Sequence, residues 1–117
     1  MAARLQALAE DDRQAVFVAV EADGDVVGWI HVYLCPLLLA DREAAIGGLV
    51  VDETHRSRGV GTRLVQAAED WARAHGCEGL TVRTNVVRKR AHEFYRRLGF
   101  REVKVQRVFH KSLQEER

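Results

Sequence analysis

Arg56-Ser57-Arg58-Gly59-Val60-Gly61 sets two guanidinium groups and two glycines within six residues, at the head of an amphipathic stretch. From Val60 the apolar side chains recur at Leu64, Ala67, Ala68 and Trp71, the three-and-four spacing that predicts a helix from that point. The first turn of a helix leaves backbone N–H groups without intrahelical acceptors, and Gly59 and Gly61 have no Cβ to keep a ligand away from them. The helix dipole, with Arg56, Arg58 and Arg63, adds positive potential at the same place. The chemistry this pattern suits is anion binding, and phosphate is the natural guest. Two familiar phosphate loops are excluded by spacing. Gly59-Val60-Gly61 lacks the third glycine of a dinucleotide fingerprint, and no Gly-Lys-Ser/Thr follows.

The elements that must position this turn can be read along the chain. Ala15 to Val20 is an apolar strand, Glu21 to Asp25 a turn and Val26 to Leu34 a second strand, together a hairpin. Cys35-Pro36 ends it, and Leu37 to Leu39 reads as a loop or helical turn. The strand from Ala44 to Val51 leads into the basic turn, and Gly47-Gly48 within it predicts a bulge or the close approach of another backbone. Gly76 is a helix stop, Leu80 to Thr84 a short buried strand, and Arg88 to Leu98 a second helix stopped by Gly99. Phe100 to Lys104 and Gln106 to Lys111 alternate as a closing hairpin would. Leu5 and Leu8 among alanines read as the end of a helix over Met1 to Glu10. The fold class is α/β, a mixed and twisted sheet. It is antiparallel through the first hairpin and central strand, and the strands flanking the Val60 helix are parallel by the βαβ rule.

Arg56 to Gly61, following an apolar strand and opening a helix, resembles the Arg/Gln-x-x-Gly-x-Gly/Ala signature of the GNAT superfamily of acyl-CoA-dependent N-acyltransferases. A second block, Ala91-His92-Glu93-Phe94-Tyr95-Arg96-Arg97-Leu98-Gly99-Phe100, follows in the family's order. The resemblance spans about Ala15 to Lys111. It implies a single domain, acetyl-CoA as cofactor and direct transfer of its acetyl group to a primary amine of a small molecule or peptide. It assigns the CoA pyrophosphate to Arg56, Arg58, Gly59, Val60, Gly61 and Thr62, and the pantetheine arm to the backbone of Leu49, Val50 and Val51. Asn85 is implied to bond the pantetheine or product amide, though it is also an ordinary turn residue. Arg88 stands where many relatives have a second Asn; with Lys89 and Arg90 it meets either the 3′-phosphate of CoA or solvent. The family usually begins with a strand and a helix ahead of the helix read at Met1 to Glu10. Their absence would leave Ala15 to Val20 as an open edge, and from this a homodimer is expected.

Transfer to an amine needs a base to take a proton from an ammonium group and an acid to protonate the departing thiolate. Tyr95 matches the family's tyrosine and suits the acid, unless it is core like Phe94 and Phe100. Many relatives carry a base Glu where this chain has Ala45. Glu43 is on the same strand face two residues earlier, and His31, an imidazole on the neighbouring strand, is the other candidate. Their plainer readings are a solvated strand end and a half-buried strand residue. Spacing supports neither a metal site among the histidines nor a Ser-His-Asp or Cys-His nucleophile, so no acyl-enzyme is expected.

The chain has 117 residues, 47% apolar and 30% charged, and a single proline, as expected of one globular domain. With no apolar run of about 18 residues and no leader pattern, a cytoplasmic protein without a membrane partner is expected. Cys35 and Cys77 form no disulfide framework. Residues 1–80 carry 7 Lys/Arg against 13 Asp/Glu, and residues 81–117 carry 11 against 4. That asymmetry admits a nucleic-acid surface in the second half, but the basic residues lack the interleaved aromatics of a single-strand platform. It equally suits a polyanionic cofactor and a cationic acceptor. A CoA-binding module without activity is the other alternative, since Ala45 replaces the usual carboxylate.

Overall fold

The computed structural model describes residues 3–35, 42–56, 58–84 and 89–114. They form two compact units, residues 1–83 and 84–117.

The first unit is a five-stranded sheet in the order β1-β2-β3-β4-β5, with β1 at Arg4–Glu10, β2 at Gln14–Val20, β3 at Val26–Leu34, β4 at Glu43–Val51 and β5 at Gly79–Val82. β1 to β4 are antiparallel neighbours, and β5 runs parallel to β4. The expected mixed sheet and the parallel pair across the helix are therefore present. Helix α1, Val60–Ala74, makes the crossover and packs on β2, β3 and β4. Its buried stripe is Val60, Leu64, Val65, Ala68, Trp71 and Ala72. Leu64 and Val65 of α1, with Ile30 and Val32 of β3, are the largest fully buried side chains, each contributing roughly 1.5–3 kcal/mol of transfer free energy. Behind Gly76, amides of Gly76 and Cys77 return to the carbonyls of Arg73 and Ala72, so the helix stops where the sequence predicts. The Arg42 guanidinium donates to the His75 carbonyl oxygen and so places a cation at the negative helix end.

Met1 to Glu10 is not the end of a helix. Arg4–Glu10 is strand β1, paired along β2, and Asp11–Arg13 turns the chain directly into β2. The Asp11 carboxylate accepts from the amides of Arg13 and Gln14 at 2.8 and 3.0 Å, and the Asp11 amide donates to the Gln14 carbonyl oxygen at 2.9 Å. A closed turn of this kind holds the chain for strand pairing, and pairing overrides the weak helical preference of alanines. A strand therefore flanks β2, where an open edge was expected. No helix separates it from β2. The edge argument for a homodimer falls with it, since β1 covers β2.

The second unit contains α2, Lys89–Arg97. Its end repeats the motif at Gly76: the amides of Gly99 and Phe100 bond the carbonyls of Arg96 and Tyr95. The closing hairpin over Phe100 to Lys111 is absent. Residues 101–113 form neither helix nor strand and are exposed, with Val103, Val105, Val108 and Phe109 at 66–89%. Alternating apolar residues make a strand only when a neighbour supplies the ladder, and no described strand pairs with them.

Candidate functional site

β4 is the strand on which the site is built. Its pairing with β5 covers only Glu43 to Ile46, opposite Gly79 to Val82. From Gly47 to Val51 the backbone edge turned away from β3 has no partner among the described residues. The two parallel strands therefore part at Gly47. A bulge lies at the same point, because the β3 register passes from His31↔Gly48 to Val32↔Ile46 and leaves Gly47 unpaired. The expected bulge is found, but the space over it holds side chains and not another backbone. A Cβ on Gly47 would run into the His31 imidazole, and one on Gly48 would lie 2.8 Å from the Trp29 ring.

Directly paired residues share a sheet face. Gly28 approaches Leu64 and Val60 of α1, so Gly28, Ile30 and Val32 face the helix. Trp29, His31 and Tyr33 face the other way, with Ala45 and Glu43 of β4. Both base candidates thus share one face but stand at different heights. Glu43 is at the paired end, its carboxylate lying over Gly79 of β5. His31 stands beside the bulge where the strands part, about 13 Å along from Glu43 at about 3.3 Å per residue. His31 Nε2 is 2.9 Å from Gln14 Oε1, and its ring lies 5.5 Å from that of Tyr33. Ala45 is buried.

β4 runs into the turn through Asp52, whose amide bonds the Val27 carbonyl oxygen at 2.7 Å, and a single 3-10 turn, Glu53–His55. His55 pins this turn to the β2–β3 hairpin. Its Nε2 meets the Glu21 carboxylate, and its Nδ1 lies 3.3 Å from Asp52 Oδ2 and 3.0 Å from Thr54 Oγ1. The Thr54 hydroxyl donates to Asp52 and, with His55, holds that carboxyl below the usual range. Gly59 then caps α1 with φ +81°, a left-handed conformation that side-chain-bearing residues seldom adopt, and with open space where a Cβ would be. No side chain caps the helix, and its first intrahelical bond is from the Arg63 amide to the Gly59 carbonyl oxygen at 3.0 Å. The amides of Val60, Gly61 and Thr62 precede that bond and have no acceptor among the described residues. Arg56 and Arg58 are exposed beside them. Arg63, expected to add charge here, instead donates to the Ala3 carbonyl oxygen.

One continuous run, Leu49 to Thr62, therefore joins an open strand edge to an open helix end, both suited to a long ligand with an anionic end. In the second unit, Tyr95 packs edge-on against Phe94 and Phe100, with centroids 5.1 and 5.4 Å away, and burial pushes its phenol up. Asn85 and Arg88 lie outside the described residues. The Gln14 partner of His31 and the Glu21 partner of His55 escaped the sequence reading, because 17 and 34 residues separate the pairs. Among the described residues no cluster of His, Cys, Asp or Glu could hold a metal ion, and no helix is long and apolar enough to cross a membrane.

The family model described as the acetyltransferase (GNAT) family matches residues 1–100. Aminoglycoside N(6')-acetyltransferase type 1 of Klebsiella aerogenes is 33% identical over 102 residues, covering 85% of this chain and 67% of that protein. Streptothricin acetyltransferase of Streptomyces lavendulae is 37% identical over 95 residues, covering 78% of this chain and 47% of that protein. The chain thus spans between about half and two thirds of the length of these relatives. Among solved structures, AAC(6')-Iy in complex with the bisubstrate analog CoA-S-monomethyl-acetylneamine superposes with a TM-score of 0.77 at 24% identity, over 87% of this chain and 71% of that one.

Proposed function

This chain belongs to the acetyltransferase (GNAT) family, and from that premise we propose that it transfers the acetyl group of acetyl-CoA directly to a primary amine. The observation that carries the reading is that the β4 edge from Gly47 to Val51, unpaired among the described residues, is followed along the chain by the uncapped amides behind Gly59. Acetyl-CoA, when bound, supplies the acetyl group as an activated thioester. The amides of Arg58 to Thr62 would hold its pyrophosphate, with Arg56 and Arg58 neutralising charge, and the backbone of Leu49 to Val51 would pair with the pantetheine arm. Asn85 and Arg88 are the further cofactor contacts in this reading.

His31 is the preferred base over Glu43, because it stands where the strands part, whereas Glu43 lies against β5 in the closed, paired segment. Its imidazole takes the ammonium proton directly or through a water. Tyr95 is the acid: a phenol pushed up by burial keeps its proton at neutral pH and has it to give. The acceptor class is a small cationic amine, in keeping with the names of the two relatives and the acidic first 80 residues.

Calorimetric titration with acetyl-CoA, followed by thiol release over a panel of aminoglycosides, polyamines and peptides, tests the reading. Saturable binding and amine-dependent release are expected. Absence of binding would remove it, and binding without release from any amine would leave a CoA-binding module.

A further inference from the structure

We infer that Gln14 is a positioning residue that selects the tautomer of His31, so that Nδ1 is the proton-accepting atom. In the amide orientation of the structure Gln14 Oε1 lies 2.9 Å from His31 Nε2, and because a carboxamide oxygen only accepts hydrogen bonds, this orientation places the hydrogen on Nε2. The neutral ring then has its lone pair on Nδ1. That is the atom nearest the space above Gly47, the bulged residue at which β4 leaves β5. The glycine is what leaves room for the ring there. Gln14, the first residue of β2, is itself held by the Asp11 turn, whose carboxylate accepts from its amide. The tight β1–β2 connection thereby reaches His31 through one side chain. In the proton step, an ammonium N–H bond breaks and an Nδ1–H bond forms. The resulting imidazolium still donates from Nε2 to Gln14, and the proton leaves Nδ1 to solvent afterwards. The titratable groups that share this face are the Tyr33 phenol on β3, the Glu43 carboxylate on β4 and the Arg4 guanidinium on β1; β2 and β5 present Gln14, Val16, Gly79 and Thr81.

The catalytic consequence rests on the acetyl-transfer reading, but the tautomer does not, and the test separates them. In a long-range nitrogen–proton NMR spectrum of histidine-labelled protein without ligand, above the titration range, His31 should show the Nε2–H form. Gln14→Ala should give a mixture of both forms with the histidine count and fold spectrum unchanged. Gln14→Glu puts a carboxylate beside Nε2–H and should move the His31 titration midpoint up by about one pH unit. The acidic limb of the kcat/KM profile should move by the same amount. An Nδ1–H form in the wild type, or an unmoved midpoint in Gln14→Glu, overturns the inference. Where the NMR results hold and no amine is acetylated, the failure belongs to the acetyl-transfer reading alone.

Discussion

Tyr95 is half-buried between the edges of two phenylalanine rings, and that environment disfavours the phenolate. In the proposed acid role, a phenol that keeps its proton at neutral pH is the form required. Replacing it with Phe keeps the ring contacts and removes only the hydroxyl. The expected outcome is a fall in kcat of roughly 10²-fold with little change in KM for acetyl-CoA, measured by steady-state kinetics alongside an unchanged far-UV spectrum. At this scale the sequence was informative wherever function needs consecutive residues. Arg56 to Gly61 and Phe94-Tyr95 stand out on their own. It was uninformative where a partner arrives from another strand. Nothing in the spelling of Gln14 points to His31, and Arg63 looked like part of the basic turn until its guanidinium was found on the Ala3 carbonyl oxygen.

The turn between β4 and α1 depends on Gly59 more than on any charged neighbour. A Cβ there would meet no other atom, so the cost of Gly59→Ala is conformational, about 1–2 kcal/mol for a left-handed φ. Relaxing that strain would redirect the amides of Val60 and Gly61. Urea denaturation should show a small loss of stability, and calorimetry a much weaker acetyl-CoA affinity. The β1–β2 turn has a different signature. Its two amide bonds hold the Asp11 carboxyl below the ordinary value of 3.8, so folding favours the ionised form. A group lowered in this way contributes stability above its unfolded pKa and loses it as pH falls through the folded one. Melting temperatures of wild type and Asp11→Ala should differ by a constant amount above about pH 5, and the difference should shrink only as pH falls below 3.8 and through the lower folded value. The strands and helices were legible where hydrophobic period and glycine stops agree, as in α1 and β2 to β4. Arg4–Glu10 was misread because alanine and leucine serve a helix and an edge strand alike, and the Asp11 turn that decides between them is a tertiary fact about β2.

For the molecule as a whole, the order of elements was enough to predict the sheet. A strand, a helix and a strand in this order favour a parallel pair joined by a crossover helix, and β4 and β5 are parallel neighbours across α1. The second unit was less legible, since the apolar alternation of Phe100 to Lys104 and Gln106 to Lys111 promised a hairpin, and no described strand pairs with these residues. On the sheet face away from α1, Leu8, Val16, Val18, Val20, Val26 and Trp29 line an open groove of about 480 Å³, edged by Arg4 and Gln6. The β1 ladder itself slips between Ala7 and Ala9, where Leu8 is the extra residue. Its outer margin is therefore uneven, with a cation at one end and Glu10 at the other. A straight margin would let one chain after another dock and grow into a filament. Deleting Leu8 should restore that regularity, and thioflavin T fluorescence on prolonged incubation is expected to rise for the deletion and stay flat for the parent. A rising trace for the deletion beside a flat one for the parent would identify this irregular leucine as a guard against amyloid growth.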